Sequence, residues 1–157
     1  MTAGSSLRTD RAARVVSASP EAVSRALLEP DRLMEWLPPQ GMSGRALLFD
    51  PRQGGRYRIE LAYLGAGEGK TSAHTDVSSG RFMVIEPGRR IVMSVEFDSD
   101  DPRFAGEMIM TWELAAAQGG TRVTVTAENV PPGISAEDHA VGLASSLDNL
   151  AQCLARS

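Results

Sequence analysis

The last part of the chain, residues Ser135–Ser157, has the pattern of one long amphipathic helix that follows an almost unbroken succession of strands. Ala140, Leu143 and Leu147 recur at spacings of three and four, which places them on one face of a helix. Ser135 is a suitable cap for the first turn. A single apolar helix after a long run of strands predicts that the helix lies across a curved sheet, and such an arrangement can enclose a cavity.

The rest of the chain has the pattern of a strand, two short helices and a run of further strands. A first strand is predicted over Arg11–Ser19, Pro20 fits the first turn of a helix, and Asp31 starts a second helix. The later strands are separated by short turn-rich segments, which are typical of an antiparallel meander, and the order predicts an α+β fold. These strands are predicted over Arg45–Phe49, Tyr57–Tyr63, Arg81–Glu86, Arg90–Phe97, Met108–Leu114 and Thr121–Glu128.

Composition limits the class of protein and its partners. A length of 157 residues fits one domain, predicted over residues 10–157 after a flexible segment at 1–9. The net charge of -4 argues against nucleic acid and anionic membranes as partners, and no apolar run is long enough to span a membrane. Cys153 is the only cysteine, so no intrachain disulfide can form, and we predict a cytoplasmic protein. Monomer and homodimer both remain open.

Short motifs do not indicate catalysis, a metal or a cofactor. The segment Gly65–Thr71, GAGEGKT, lacks the first glycine of a phosphate-binding loop, because Leu64 occupies that position, and we predict a hairpin loop there. The only histidines, His74 and His139, lack the spacing of a zinc site. Neither Cys153 nor any serine has the sequence context of a nucleophile.

Strand alternation separates a polar face from an apolar face. Glu60 and Glu113 alternate with inward-facing neighbours, so we predict both on the solvated face in cross-strand ion pairs. The opposite face is rich in methionine and aromatic residues, which adapt to apolar ligands of varied shape. One helix does not easily fill a long concave sheet, so a ligand pocket is predicted. Its predicted residues are Met34, Trp36, Tyr57, Ile59, Leu61, Met93, Val95, Met108, Met110, Trp112, Leu143 and Leu147.

Several segments, taken in order, resemble a known superfamily. They are SASPEAVSRALLEPDRLMEW, FDPRQGGRYRIE, GRFMVIEPGRRIVMSVEF, WELAAAQGGTRVTVTAEN and GLASSLDNLAQCL. Over roughly residues 11–156 their order resembles the START-like helix-grip (SRPBCC) superfamily, and within it the group named for the C-terminal domain of the activator of the heat-shock-protein-90 ATPase. The resemblance implies a helix-grip fold, in which an antiparallel sheet of about six or seven strands wraps around a long C-terminal helix.

The resemblance also has one departure. That group commonly has Gly-Trp in its last helix, where this chain has Gly142 and Leu143. A smaller side chain at this position implies a wider space beneath the helix. The sequence has no counterpart of the co-chaperone's separate N-terminal domain, which counts against chaperone activation as the expected function.

The leading hypothesis is therefore a binding protein rather than an enzyme. It would hold a small hydrophobic or amphipathic ligand between the sheet and the last helix, with Tyr57 or Tyr63 setting the orientation of the ligand. The resemblance adds two alternatives. One is an enzyme similar to polyketide cyclases and aromatases, which needs a titratable group that faces the cavity. The other is a chaperone-associated interaction module, which needs an exposed apolar patch.

Overall fold

The structure is a computed structural model that describes residues 8–38, 41–64 and 75–155. In chain order its elements are β1 (Thr9–Val16), α1 (Pro20–Leu28), α2 (Pro30–Trp36), β2 (Met42–Phe49), β3 (Arg56–Tyr63), β4 (Thr75–Glu86), β5 (Arg90–Phe97), a 3₁₀ helix (Pro102–Phe104), β6 (Met108–Ala117), β7 (Gly120–Glu128) and α3 (Ala136–Ala155).

The seven strands form one antiparallel sheet in the order β1-β7-β6-β5-β4-β3-β2. Strands β2 to β7 follow one another as a meander, and β1 pairs with β7. The helices α1 and α2 connect β1, at one edge of the sheet, to β2, at the other edge. The predicted α+β class and the helix-grip fold with a long C-terminal helix are confirmed.

Local signals in the sequence explain where the helices begin. The Ser19 hydroxyl accepts a 3.2 Å hydrogen bond from the backbone N–H of Ala22, with Pro20 at the first helical position of α1. The Ser135 hydroxyl accepts a 3.0 Å hydrogen bond from the backbone N–H of Asp138 at the start of α3. Both caps lie where the sequence predicted them.

One main hydrophobic core joins α1, α2, α3 and the inner face of the sheet. The apolar face of α3 contributes Leu143, Leu147, Leu150 and Leu154 to this core. Ala140, which the sequence placed on the same face, is exposed. The buried face instead begins at His139, four residues before Leu143, because this spacing follows the helical repeat.

The outer face of the sheet is polar, as predicted. Glu60 lies opposite Arg45 in the β2–β3 register, and the two side chains form a 3.0 Å ion pair. Glu113 is exposed and lies opposite Arg90, but the Arg90 guanidinium contacts Glu86 instead, at 3.0 Å. The predicted ion pair of Glu60 is therefore confirmed. For Glu113, the arginine that lies opposite it in the register forms its ion pair with Glu86, at the other end of the β4–β5 turn.

The sequence left the facing of Phe82 and Met83 open, and a β-bulge in β4 decides it. The register between β4 and β5 shifts between Phe82 and Val84, so Met83 is the extra residue. Phe82 is fully buried, whereas Met83 is 46% exposed. Phe82 therefore belongs to the apolar inner face of the sheet, and Met83 does not.

Some predictions concern residues outside the described ranges. The loop at 65–74, with the motif GAGEGKT and His74, lies outside them, as do residues 1–7 of the predicted flexible segment 1–9. Of that segment, Thr9 is the first residue of β1, and the carbonyl oxygen of Arg8 accepts a 3.3 Å hydrogen bond from the N–H of Val130.

Candidate functional site

A pocket with a volume of about 640 Å³ lies between the inner face of the sheet, α1, α2 and the first half of α3. Its walls are mainly apolar side chains from β3, β5 and β6. Polar groups gather at the end formed by the 3₁₀ helix and the start of α3. The charged or titratable residues at this end are Asp101, Arg103, Asp138 and His139, whereas Ser78 on β4 and Ser146 in the middle of α3 border the pocket elsewhere along these elements.

Most of the residues predicted for a ligand pocket border this space. The nine that do are Tyr57, Ile59, Leu61, Met93, Val95, Met108, Met110, Trp112 and Leu143. Alternation along each strand brings them together, because side chains two residues apart point to the same face of the sheet. That these residues bind a ligand stays a prediction.

Three of the predicted residues lie elsewhere. Trp36 is fully buried, donates a 2.9 Å hydrogen bond from Nε1 to the carbonyl oxygen of Ala26, and packs edge-on against Trp112. Leu147 lies in the hydrophobic core without bordering the pocket. Met34 borders a separate surface hollow between α2 and β2. Trp36 and Met34 therefore lie outside this pocket, because their helix turns them into the core and toward β2.

The two tyrosines that were expected to orient a ligand are placed differently. The buried Tyr57 hydroxyl donates a 2.5 Å hydrogen bond to the carbonyl oxygen of Ser94. The hydroxyl proton therefore bonds the neighbouring backbone of the sheet. Burial, and secondarily the negative charge of Glu107, raises the pKa of Tyr57 above its ordinary value. Tyr63 does not border the pocket, and partial burial followed by the charge of Asp76 raises its pKa as well.

A short polar turn forms part of the pocket rim. Asp101 caps the 3₁₀ helix by accepting a 2.9 Å hydrogen bond from the backbone N–H of Arg103. The Arg103 guanidinium also bonds both carboxylate oxygens of Asp101, through Nε at 3.1 Å and Nη2 at 2.7 Å. These hydrogen bonds, the side-chain ones first, lower the pKa of Asp101. Because Arg103 and Asp101 bind each other, they offer little net charge to a ligand.

The aromatic ring of Phe104 covers the pocket beside this turn. Phe104 packs edge-on against Phe97, with ring centroids 6.4 Å apart. The segment before α3 is tied to the same turn, since the N–H of Gly133 donates a 2.7 Å hydrogen bond to the carbonyl oxygen of Arg103. A Cβ at Gly133 would lie 2.7 Å from the Phe104 ring, so the close fit of this cover requires glycine.

The middle of α3 leaves the pocket open. Gly142 borders the pocket, and a Cβ added there would meet no atom within 4 Å. Close approach of the sheet therefore does not explain this glycine. Leu143 is buried beside it, in the position where a tryptophan was expected from the resemblance. The combination leaves unfilled space directly under the helix.

A histidine–carboxylate pair lies at the polar end of the pocket. Nδ1 of His139 is 2.7 Å from Oδ2 of Asp10, and each side chain is only 12% exposed. The same carboxylate oxygen is 3.1 Å from the Arg8 guanidinium. His139 reaches the pocket from the first turn of α3, whereas Asp10 lies on β1.

The sequence analysis missed several residues of this pocket. Leu27 borders it from α1, Leu33 from α2 and Leu37 from the residue after α2, and none of the three was predicted as a pocket residue. The 3₁₀ helix was treated as a turn, although Asp101 before Pro102 is a recognisable helix-start signal. His139 was weighed as a metal ligand and, with Glu60, Glu96 and His74, as a titratable group of the enzyme alternative, but it was not assigned to the pocket. The spacing of four between His139 and Leu143 could have placed it on the buried face of α3.

Other kinds of site were also sought in the described residues. Within residues 8–38, 41–64 and 75–155, no group of three or more histidine, cysteine, aspartate or glutamate side chains could hold a metal ion. In the same part of the chain, the helices are too short or too polar to cross a membrane.

Comparison with protein families gives one match that covers most of the chain. Residues 17–155 match the family model described as Activator of Hsp90 ATPase homolog 1-like protein. A comparison with curated proteins finds no significant match.

Solved structures with the same fold cover nearly the whole chain. A protein from Chromobacterium violaceum is 36% identical, with 93% of this chain and 96% of that chain covered and a TM-score of 0.82. A protein from Rhodobacter sphaeroides is 25% identical, with 97% and 95% covered and a TM-score of 0.79. A protein of the dynemicin biosynthetic locus is 22% identical, with 94% of this chain and 47% of that chain covered and a TM-score of 0.66.

Proposed function

This chain belongs to the Activator of Hsp90 ATPase homolog 1-like family, within the START-like helix-grip superfamily, and we propose that it binds a small hydrophobic or amphipathic molecule. The ligand would lie between the sheet and α3. The observation that carries this proposal is the pocket of about 640 Å³, which is walled by apolar side chains and has polar groups at one end. Pockets of this size and lining are typical of sites for small organic ligands.

The affinity would come mainly from burial of the apolar part of the ligand. Met93, Met108 and Met110 border the pocket, and unbranched thioether side chains adapt to ligands of different shape. Removing apolar surface from water contributes about 25 cal/mol per Å². The open space beside Gly142 gives the ligand room that a larger residue would occupy.

Native mass spectrometry of protein purified without denaturants tests this proposal, followed by titration with a panel of neutral lipophiles. The panel should include aromatic compounds of increasing size and linear alkyl alcohols. We expect a copurified small molecule or one-to-one binding of at least one compound. Absence of bound mass and of binding across the panel contradicts the proposal.

A second candidate function is a cyclase-like enzyme, and one observation favours it. His139 borders the pocket beside Asp10, so one titratable group of the kind such an enzyme needs faces the ligand space. Glu60 and Glu96, which were the other described candidates, lie on the outer face of the sheet or are exposed. The similarity to a protein of the dynemicin biosynthetic locus is a similarity of fold, and it does not assign that protein's role to this chain.

The enzyme candidate has its own test. A linear poly-β-ketone thioester is incubated with the protein, and the products are followed by mass spectrometry for loss of water on cyclisation. If the cyclised product forms with the unmodified protein but not with His139→Phe, the result supports an enzymatic function. If the product forms at the same rate as in the protein-free control, the result excludes cyclase activity on this substrate class.

Location and assembly complete the proposal. We place the protein in the cytoplasm because Cys153 is the only cysteine of the sequence, so no intrachain disulfide can form. Its buried thiol lies 3.4 Å from Oε2 of Glu35. Light scattering during size-exclusion chromatography separates a monomer from a homodimer. Association with a chaperone rests on the family description alone, and copurification with the chaperone ATPase is its test.

A further inference from the structure

We propose that His139 and Asp10 form the polar subsite of the pocket and that this subsite accepts a hydrogen bond from a hydroxyl group of the ligand. The inference rests on the proposed binding function and adds the chemical class of the ligand, a neutral aromatic or aliphatic molecule with a phenol or alcohol group. It starts from the position of His139, which borders the pocket from α3 while its Nδ1 lies 2.7 Å from Oδ2 of Asp10.

The contact with Asp10 fixes which nitrogen of His139 carries the proton. A carboxylate only accepts hydrogen bonds, so Nδ1 is the donor in this contact. In a neutral imidazole the other nitrogen, Nε2, is then an acceptor. The Arg8 guanidinium lies 3.1 Å from the same carboxylate oxygen, and its positive charge attracts the carboxylate.

Nε2 of His139 is available to a ligand. Among the described residues no group forms a hydrogen bond with Nε2. Nε2 is also not fully buried, since the fully buried polar atoms without a partner belong to other residues. The His139 side chain is nevertheless only 12% exposed, so a group that meets Nε2 is largely shielded from water. A hydrogen bond in such surroundings adds more to affinity than the same bond on the protein surface.

The charges around His139 favour a hydroxyl group over a carboxylate in the ligand. The carboxylates of Asp10, Asp101 and Asp138 lie at this end, with the guanidiniums of Arg8 and Arg103. Each arginine already pairs with an aspartate, which leaves Asp138 as excess negative charge. An anionic ligand would be repelled there, whereas a neutral hydroxyl donor would not.

The apolar wall directs a ligand hydroxyl to this end. Gly142 and Leu143 follow His139 along the side of α3 that borders the pocket, and Met110 and Trp112 border it from β6. A ring buried among these residues places its hydroxyl at the polar end. The Tyr57 hydroxyl donates its proton to the carbonyl oxygen of Ser94, so it is not a hydrogen-bond donor to the ligand.

Three matched probes test the inference: naphthalene, 2-naphthol and 2-naphthoate, titrated by calorimetry or by intrinsic fluorescence at neutral pH. We expect the protein to bind 2-naphthol about tenfold more tightly than naphthalene, because one shielded hydrogen bond distinguishes them. Naphthoate should bind more weakly than naphthol. In His139→Phe, which keeps a ring of similar size, the preference for naphthol over naphthalene should disappear.

A second variant and a spectroscopic measurement cover the case in which His139→Phe does not fold. In Asp10→Asn the amide can donate to Nδ1, which allows the other tautomer, so the preference for naphthol should fall. In nitrogen-15 spectra, assigned by comparison of the two histidines of the sequence, the Nε2 signal of His139 should shift with naphthol but not with naphthalene.

The outcomes separate this inference from the proposed function. Binding of naphthalene with equal affinity for naphthol, or a preference that persists in His139→Phe, overturns the hydroxyl subsite and leaves the apolar site standing. Failure of all three probes to bind counts against both.

Discussion

The hydroxyl of Tyr57 on β3 donates a 2.5 Å hydrogen bond to the backbone carbonyl oxygen of Ser94 on β5. The bond crosses β4, the strand between β3 and β5, at Gly80, which lies opposite Tyr57 in the β3–β4 register. A Cβ at Gly80 would lie 1.8 Å from the same carbonyl oxygen. Because Gly80 has no side chain, the Tyr57 hydroxyl can reach the carbonyl oxygen of Ser94. Tyr57 itself borders the pocket.

The substitution Tyr57→Phe should lower stability without removing ligand binding. It deletes a buried hydrogen bond, which costs about 1 kcal/mol in the free energy of unfolding. The hydroxyl is already bonded to Ser94, so the affinity for naphthalene should stay close to that of the unmodified protein. Urea unfolding and naphthalene titration of the two proteins measure both quantities. A large loss of affinity with unchanged stability would show that the hydroxyl serves the ligand instead.

Alkaline pH should destabilise the protein partly through Tyr57. Burial, with the charge of Glu107 as a smaller cause, raises the pKa of Tyr57 in the folded state above its ordinary value of 10.0. Above that pH the unfolded chain loses the phenol proton while the folded chain keeps it, so stability is fully present below pH 10 and falls as pH rises further. The stability of Tyr57→Phe should fall less steeply above pH 10. Equal slopes in urea unfolding at a series of alkaline pH values would contradict this assignment.

Two glycine-to-alanine substitutions should have opposite effects on stability. Gly80→Ala places a Cβ against the backbone carbonyl of Ser94, and we expect a loss of about 2–3 kcal/mol in the free energy of unfolding. Gly142→Ala meets open space within a helix, and we expect a gain of up to about 1 kcal/mol. Thermal and urea unfolding compare the two. A neutral Gly80→Ala would mean that β4 and β5 can separate at little cost.

Removal of the Phe104 ring should affect the kinetics of binding. The ring borders the pocket mouth and packs against Phe97. In Phe104→Ala we expect faster association and faster dissociation of an apolar probe, with a small loss of stability because the ring is only partly buried. Stopped-flow fluorescence measures both rates. Unchanged rates would indicate that ligands enter elsewhere. Leu48→Ala, on the edge strand β2, is the matched control.

Those parts of the fold that depend on local signals could be predicted from the sequence. Ser19 with Pro20 and Ser135 before α3 are capping patterns, and their hydrogen bonds lie where these patterns indicate. The turn-rich segments between the strands identified the meander, because neighbouring antiparallel strands need no crossover helix between them. The inward facing of β5 and β6 followed from strict alternation of apolar residues.

Other features depend on contacts between distant parts of the chain. The bulge that turns Met83 outward is a local insertion in one strand, which interrupts the alternation on which the sequence analysis relied. Trp36 was predicted to line the pocket, but its ring packs edge-on against Trp112 and its Nε1 donates to the carbonyl oxygen of Ala26, ten residues earlier. The partnership of His139 with Asp10 joins residues 129 positions apart, and no local pattern reports such a contact.

The most direct test of a ligand pocket beneath α3 is a calorimetric titration of naphthalene into three proteins: the unmodified chain, Gly142→Trp and Val141→Trp. Both variants introduce an indole on the same helix, at the pocket-lining position 142 or at Val141, which is 71% exposed. We predict one-to-one binding to the unmodified protein and to Val141→Trp, and a loss of at least about tenfold in affinity for Gly142→Trp, whose indole fills the space. Equal affinity of all three proteins, or no binding to the unmodified chain, would contradict a ligand site beneath α3.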